Sequence, residues 1–281
     1  TAFCGTVYLV SPMKFSHEEA AQYEWFARQG WEVSVGSMGS LGGTTPITPA
    51  GALALQLAEG LVLQIMRRCF FGHMELNLGN SLSVIDVRTG AFQYGRPEQT
   101  LLNLAGAQIA RQLGARYNGH GGLSDAREPG FESAMQKTAS ALINGISSGH
   151  GHVAAGLLAV DEVFSPEQLL LDAEMLSYLK RLSMGFSTEI EDFALDTVLE
   201  AGWGGHFLDK DHTVEHFRQS LWSPVLFSTQ SYSMWHSSGG RSAMQGIRER
   251  AKEAMDRIQL PSPSINSVLE KKLLKIIREA I

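Results

Sequence analysis

The sequence has few cysteines: Cys4 and Cys69 are the only two among its 281 residues. Two thiols cannot build a disulfide framework, and neither forms, with histidine, the spacing of a structural zinc site. Because disulfides belong to oxidising compartments, their scarcity favours a reducing one, and we expect a cytoplasmic protein. No bound metal is expected.

The chain also lacks an excess of basic residues. Lysine and arginine total 23 against 29 acidic residues, which gives a formal net charge of −6. Nucleic acids and anionic membranes attract basic surfaces, so we expect neither as a partner. The net charge does not exclude small polar or cationic ligands.

Several catalytic motifs are missing as well. The glycine- and threonine-rich residues 36–47 contain neither the Gly-Lys-Ser/Thr ending of a P-loop nor the Gly-x-Gly-x-x-Gly of a dinucleotide site. No His-Glu-x-x-His motif occurs, and no Ser-His-Asp or Cys-His pair can be assigned from the order of residues. Catalytic residues therefore stay unassigned.

The most informative stretch is residues 31–66. A short strand at 33–35 precedes the glycine-rich loop 36–47, and Thr48-Pro49 has the chemistry of a helix start, because threonine can cap and proline suits the first turn. The helix that follows is apolar on every side, which predicts burial, while Glu59 and the nearby glutamines argue against a membrane. The loop is either a ligand site or a tight connection.

Strands and helices alternate along the rest of the chain. Predicted helices cover 16–30, 97–113, 131–146, 166–182 and 189–201, and strand-like stretches lie at 3–10, within 70–87, and at 149–156. This order predicts an α/β fold with a parallel sheet, and we favour a (β/α)₈ TIM-type barrel over a doubly wound sheet. Residues 1–239 would form the barrel portion and residues 240–281 a C-terminal helical tail.

The chain begins in a strand without a starting methionine, so we expect upstream sequence and a barrel that is incomplete at its N-terminus. In a barrel, the glycine-rich loops at the strand ends would surround one mouth. His120, His152 and Asp125 would lie there, to bind a ligand, move protons or fix the loops. Aromatic residues flank these loops and could form a cage for a quaternary ammonium: Phe92, Tyr94, Tyr117, Phe164 and Phe207.

Taken together, the motifs resemble those of the trimethylamine methyltransferase family of corrinoid-dependent enzymes. The resemblance runs from about residue 9 to about residue 260 and covers the C-terminal portion of the family's chains. It rests on Thr-Pro-Ala-Gly-Ala (48–52), Ala-Glu (58–59), Asp-Val-Arg-Thr-Gly (86–90), Gly-Arg-Pro-Glu (95–98), Gly-Gly-Leu-Ser-Asp-Ala (121–126), His-Val-Ala-Ala-Gly (152–156), Asp-Ala-Glu (172–174) and Gly-Gly-His-Phe-Leu (204–208).

The resemblance implies transfer of a methyl group from a methylated amine, such as trimethylamine or glycine betaine, to the Co(I) corrinoid (cobalamin) of a corrinoid-binding partner protein. No tightly bound cofactor is then expected in this chain. One branch of the family uses pyrrolysine, which this sequence lacks, so the resemblance favours the branch that acts on quaternary amines. We further expect a homo-oligomer.

Carried onto this sequence, the resemblance predicts two groups of residues. The substrate-binding group is His152, Asn118, His120, Asp125, Glu59, Tyr94 and Phe164. The loops predicted to face the corrinoid contain Gly42, Gly43, Thr44, Gly121, Gly122, Gly205 and His206. Two alternatives to an enzyme stay open: a non-catalytic binder of methylated ammonium compounds, and an inactive barrel fragment.

Overall fold

A computed structural model describes residues 4–72, 76–78, 81–149, 153–258 and 266–280. The main sheet has four strands in sequential order. They are β1 (Cys4–Val10), β2 (Glu32–Leu41), β3 (Ser81–Ile85) and β4 (Phe92–Gln93). The first three run parallel, with Val7 beside Val35 and Gly39 beside Leu82, and β4 turns back antiparallel to β3.

Helices follow the strands and cover them. The first five are α1 (His17–Arg28), α2 (Pro49–Phe71), α3 (Pro97–Gln112), α4 (Phe131–Ser148) and α5 (Pro166–Ser183). Between α4 and α5 lies an antiparallel pair, β5 (Leu157–Leu158) and β6 (Val163–Phe164). The mixed α/β class with a parallel sheet is thus confirmed, and the strands of the described residues form one open sheet and this separate pair.

The C-terminal third is helical. A 3₁₀ turn (Ile190–Phe193) leads to α6 (Leu195–Ala201), α7 (Asp211–Ser220), α8 (Tyr232–Ser237), α9 (Ala243–Arg257) and α10 (Ser267–Ala280). Helices α6, α7 and α8 bury no residue. Helix α9 packs on α5 and buries Ile247 and Ala251.

Local chemistry sets the helix boundaries. The helix predicted from residue 16 begins there, and Ser16 and Glu19 form a reciprocal capping box at the start of α1. Helix α2 begins at Pro49 after Thr48, also as predicted, although the Thr48 hydroxyl makes no capping bond. It continues past Met66 to Phe71, and its C-cap Gly72 adopts the left-handed conformation that glycine tolerates best.

Three apolar clusters join the sheet to α1, α2 and α3. The first two are Val7, Tyr23 and Val33 beside α1, and Leu41, Ala52, Leu53, Leu82 and Leu102 between the sheet, α2 and α3. The third is Leu78, Ala107, Ala110 and Tyr117. Burial of these side chains drives the helices onto the sheet.

The sequence prediction was wrong in three places. Residues 36–41 belong to β2 rather than to a loop, because they pair with both β1 and β3 despite their small side chains. Residues 153–156 form a turn rather than a strand. The expected helix 189–201 is broken at Ala194, whose positive φ separates the 3₁₀ turn from α6.

Helix α2 is the one helix in the described part of the chain that has the length and composition to cross a membrane. In this fold it buries Gln56, Glu59 and Gln64 on the face that packs against the rest of the molecule. The carboxylate of Glu59 is fully buried and accepts hydrogen bonds from the Ser11 hydroxyl and the Met13 backbone N–H, each at 2.8 Å. Glu59 thereby fixes the turn that follows β1.

We therefore expect Glu59→Ala to destabilise the fold by roughly 2–4 kcal/mol, because two buried donors would lose their acceptor. Urea denaturation measures the change. Glu24→Ala is the control, since Glu24 pairs with Arg28 on the exposed face of α1 and its loss should cost less than about 1 kcal/mol. Equal effects of the two substitutions would contradict a fixing role for Glu59.

Candidate functional site

The segment after α3 pairs with residues 76–78, which lie just before β3. The Leu78 N–H donates to the Arg116 carbonyl at 2.9 Å and the Arg116 N–H donates to the Leu76 carbonyl at 2.8 Å, which is a parallel bridge. Residues 117–126, named here the strand-end segment, then leave this ladder. Their backbone groups need other partners, because a buried unpaired N–H or C=O is costly.

Side chains from α3 and α4 supply those partners. Asn144 donates to the Gly119 carbonyl at 2.8 Å, Ser140 accepts from the Gly122 N–H at 2.9 Å, and Asn103 donates to the His120 carbonyl. An added Cβ at Gly119 would lie 2.8 Å from the Asn144 amide oxygen, so only glycine permits this approach. The buried face of α4 thus supplies side chains that hydrogen-bond to the backbone of the strand-end segment.

Gln136 of α4 positions the carboxylate of Asp125. Its amide oxygen accepts from the Asp125 N–H at 2.8 Å and from the Ser124 hydroxyl at 2.7 Å. Asp125 Oδ1 in turn accepts from the backbone N–H of Tyr94, directly after β4, at 2.7 Å. Asp125 is therefore held in place half-buried, beside the chain that leaves β4.

Tyr94, Ser81, His120 and Asp125 form a group that we call the Tyr94 cluster. The Ser81 hydroxyl lies 3.4 Å from the Tyr94 hydroxyl, and the Tyr94 and His120 rings are 5.8 Å apart between centroids. Burial raises the pKa of Tyr94, so its ring stays neutral at physiological pH. Two rings and a carboxylate are the groups that attract an organic cation.

A buried ion pair joins α4 to α5. Lys137 of α4 and Asp172 of α5 are almost completely buried, and their Nζ and Oδ2 atoms are 2.6 Å apart. Lys137 also donates to the Ala154 carbonyl at 2.9 Å, and Asp172 accepts from the Gly156 N–H at 2.7 Å. The pair therefore fixes residues 154–156. Desolvation lowers the pKa of Lys137, and the carboxylate of Asp172 opposes that shift.

The remaining predicted substrate residues are scattered. Asn118 is exposed in the strand-end segment, and the exposed ring of Phe164 in β6 lies against Gly156. Glu59 is buried in the fold, where its carboxylate oxygens accept hydrogen bonds from Ser11 and Met13. His152 lies outside the described residues.

The residues predicted to face the corrinoid also differ in exposure. Gly42, Gly43 and Thr44 form an exposed turn at the end of β2, closed by N–H donation to the Ser40 carbonyl from Gly43 and Thr44. Gly121 and Gly122 are buried against α4. Gly205 and His206 lie in an exposed loop before α7, where the ring of His206 is 3.2 Å from a carboxylate oxygen of Asp209.

The turn after β3 carries a group of charged side chains. Asp86 Oδ1 accepts from the backbone N–H of Arg88 at 2.9 Å, while Oδ2 accepts from the Arg88 guanidinium at 3.1 Å and lies 3.4 Å from that of Arg96. The hydrogen bond from the Arg88 side chain is the main reason that the pKa of Asp86 falls to about 2, and the Arg88 backbone N–H adds to it. Two arginines therefore flank this end of the sheet.

An α/β fold with polar and aromatic side chains gathered beside its main sheet, as in the Tyr94 cluster, is typical of a protein that binds a small molecule. A family model described as trimethylamine methyltransferase matches residues 1–279. The chain belongs to the trimethylamine methyltransferase family.

Individual relatives are more distant. Over 230 residues the chain is 28% identical to a glycine betaine methyltransferase of Desulfitobacterium hafniense, covering 80% of this chain and 47% of the relative. Trimethylamine methyltransferases of Methanosarcina mazei and Methanosarcina thermophila are each 26% identical, over 89% of this chain and 50% and 52% of their own lengths. The chain therefore spans about half the length of these curated relatives.

Sequence reasoning missed the residues that hold the site. Lys137, Ser140 and Asn144 recur at intervals of three and four, which places them on one face of α4. Read alone, such a face predicts solvent exposure, whereas all three are buried. The missed signal was a polar stripe on a helix that follows a glycine-rich segment.

For the ion pair, we expect Lys137→Met to destabilise the fold by roughly 3–5 kcal/mol, because the Asp172 carboxylate would stay buried without a cation. Adding Asp172→Asn should recover part of that loss, since the amide is neutral and still accepts from Gly156. Denaturant titration of the two variants measures both effects. Lys210→Met is the control, because Lys210 pairs with the exposed Glu200, and its effect should be much smaller than that of Lys137→Met.

For the turn after β3, we expect Asp86 to remain ionised down to about pH 2. Because folding lowers its pKa from 3.8, the turn gains support from the carboxylate above about pH 4 and loses it as the pH falls through 2. Arg88→Leu should raise the pKa of Asp86 toward 3.8, measured by carbon NMR titration. Arg127→Leu, an exposed arginine elsewhere, should leave it unchanged, and an unshifted pKa in Arg88→Leu would refute this origin.

Proposed function

We propose that this chain forms part of an enzyme that transfers a methyl group from a methylated amine to the Co(I) corrinoid of a partner protein. The observation that carries the proposal is the family match over residues 1–279. The relatives named above are called glycine betaine and trimethylamine methyltransferases, which supports the same reaction class.

The chemistry asks little of acid and base groups. Co(I) attacks the methyl carbon and becomes methyl-Co(III), while the carbon–nitrogen bond breaks and its electron pair goes to nitrogen. A quaternary amine leaves in this way as a neutral amine and needs no proton. The protein therefore has to bind a cation, orient its methyl group and exclude water.

The Tyr94 cluster suits the first of these tasks. Tyr94 and His120 offer ring faces, and Asp125 offers negative charge at a fixed position. A quaternary ammonium has no N–H to donate, so it needs rings and a diffuse negative potential rather than directed acceptors. We therefore propose a quaternary amine of the glycine betaine type as the substrate, with Asn118, Phe164 and His152 as further contacts.

The arrangement of the strands supports a (β/α)₈ barrel as the complete fold. The strands β1, β2 and β3 are neighbours in sequence order and run parallel, and residue 77, just before β3, forms a parallel bridge with Arg116 after α3. Parallel strands in sequence order with helices between them are the arrangement from which such a barrel is built. In such a barrel the carboxyl ends of the strands would form the mouth on which the corrinoid protein docks.

We place the docking rim at the exposed turn 42–44, with Gly205 and His206 as a second part of it. The turn directly follows the carboxyl end of β2. Its glycines present backbone without side chains, which suits the close approach of a flat macrocycle. A cytoplasmic location and a homo-oligomer belong to the same proposal.

The direct test mixes the polypeptide encoded by the whole gene with a corrinoid protein reduced to Co(I) and adds glycine betaine. We expect the absorbance of Co(I) to give way to that of methyl-Co(III). Asp125→Asn should lower kcat/KM by roughly 10- to 100-fold, because it removes the charge but keeps the acceptor for the Tyr94 N–H. Asp196→Asn, on the exposed helix α6, should not change the rate.

Two outcomes would refute the proposal in different ways. If no methylated amine converts Co(I) while calorimetry detects betaine binding, the protein is a binder rather than a methyltransferase. If methyl transfer occurs and Asp125→Asn leaves kcat/KM unchanged, the activity stands and the Tyr94 cluster is not its substrate site.

A further inference from the structure

Helix α10 is amphipathic, and its apolar side is exposed. Leu269, Leu273, Ile276 and Ile277 recur at intervals of three and four, so they lie on one face, named here the α10 stripe. Every side chain from residue 266 to residue 278 is exposed. A helix of 14 residues is marginal in water by itself, because helices in proteins gain most of their stability from packing of the apolar face. The α10 stripe therefore needs a partner surface.

The opposite face of α10 is basic. Lys271, Lys275 and Arg278 lie on it, and the four basic and two acidic residues of the helix give it a formal charge of +2. Two copies of α10 packed on each other would bring like charges together, which is unfavourable. The surface that suits this helix is apolar and acidic.

Residues 184–195, named here the acidic segment, form such a surface. They contain three acidic residues and no lysine, arginine or histidine, and none of them is buried. The large apolar side chains that they expose are Met184, Phe186, Ile190, Phe193 and Leu195. Contiguous apolar side chains that are exposed and bordered by charge mark an interaction site.

The charge of the acidic segment is free to attract a basic partner. Within the described part of the chain, Glu189, Glu191 and Asp192 form no ion pair. The Ser187 hydroxyl donates to Asp192 and accepts from the backbone N–H of Glu189 at 3.2 Å. These two bonds hold the segment in a turn that presents its carboxylates to solvent.

We propose that α10 of one copy of this chain docks on the acidic segment of a second copy, which returns the same contact. The α10 stripe would cover the apolar side chains, and the basic residues would face the carboxylates. Within one chain the two surfaces leave each other exposed, whereas a two-fold exchange covers both surfaces of both copies. The exchange gives the homo-oligomer proposed above a defined interface, and it does not depend on methyl transfer.

Reversing the charge of each surface tests the contact. The segment variant carries Glu189→Lys and Glu191→Lys, which change the formal charge of the acidic segment from −3 to +1. The helix variant carries Lys271→Glu and Lys275→Glu, which change that of α10 from +2 to −2. All four side chains are exposed, so we expect both variants to fold.

Each variant alone would bring like charges together at both contacts. We expect its dissociation constant to rise about 10- to 100-fold, and light scattering at micromolar concentration to give half the mass of the unaltered protein. An equimolar mixture should regain the full mass, because each helix then meets a segment of opposite charge. Lys252→Glu with Arg257→Glu, at exposed positions of α9, is the control and should leave the mass unchanged.

An apolar variant tests the α10 stripe separately. Leu273→Ala keeps a strong helix former but removes apolar contact, and we expect the dissociation constant to rise about tenfold. Val268→Ala is the matched control, because Val268 lies on the charged face of the helix and should contribute little.

The proposal fails if the unaltered protein has the mass of one copy, if either reversal variant keeps the mass of the unaltered protein, or if their mixture does not regain it. Equal effects of Leu273→Ala and Val268→Ala would also refute it. If the unaltered protein is a single copy that binds phosphatidylglycerol vesicles and the helix variant does not, α10 serves a membrane instead. Because mass is the readout, failure of this contact and failure of methyl transfer are separate results.

Discussion

The interaction on which the strand-end geometry depends is the contact between the polar face of α4 and the backbone of residues 117–126. Beyond Arg116, side chains hold the first part of this segment, and at its end Ser124 forms an antiparallel bridge with Val160. The side chains of Asn144 and Ser140 hydrogen-bond to its backbone at residues 119 and 122, and the side chain of Gln136 accepts from the N–H of Asp125. A helix that usually contributes apolar burial here contributes directed hydrogen bonds, which fix positions more narrowly.

Lys137 extends the same principle to the next segment. Its ammonium group joins the Ala154 carbonyl to Asp172, and Asp172 holds the Gly156 N–H. An apolar pair of similar volume would suit stability at least as well, since charges lose much hydration on burial. What an apolar pair could not do is bind a carbonyl and an N–H at fixed positions. We infer that the ion pair serves to hold residues 154–156 at fixed positions ahead of α5.

The sequence predicted features that depend on neighbouring residues, such as helix starts. It did not predict features that depend on contacts between residues distant in the sequence. Ser16, Pro49 and Pro97 each mark a helix start that the structure confirms. Residues 36–41 were predicted as a loop because glycine and serine weaken a strand, yet pairing on both sides keeps them in β2. At the site, Tyr94, His120 and Asp125 were named from the sequence, while Gln136, which positions Asp125, was not. Its role depends on a contact that no local pattern encodes.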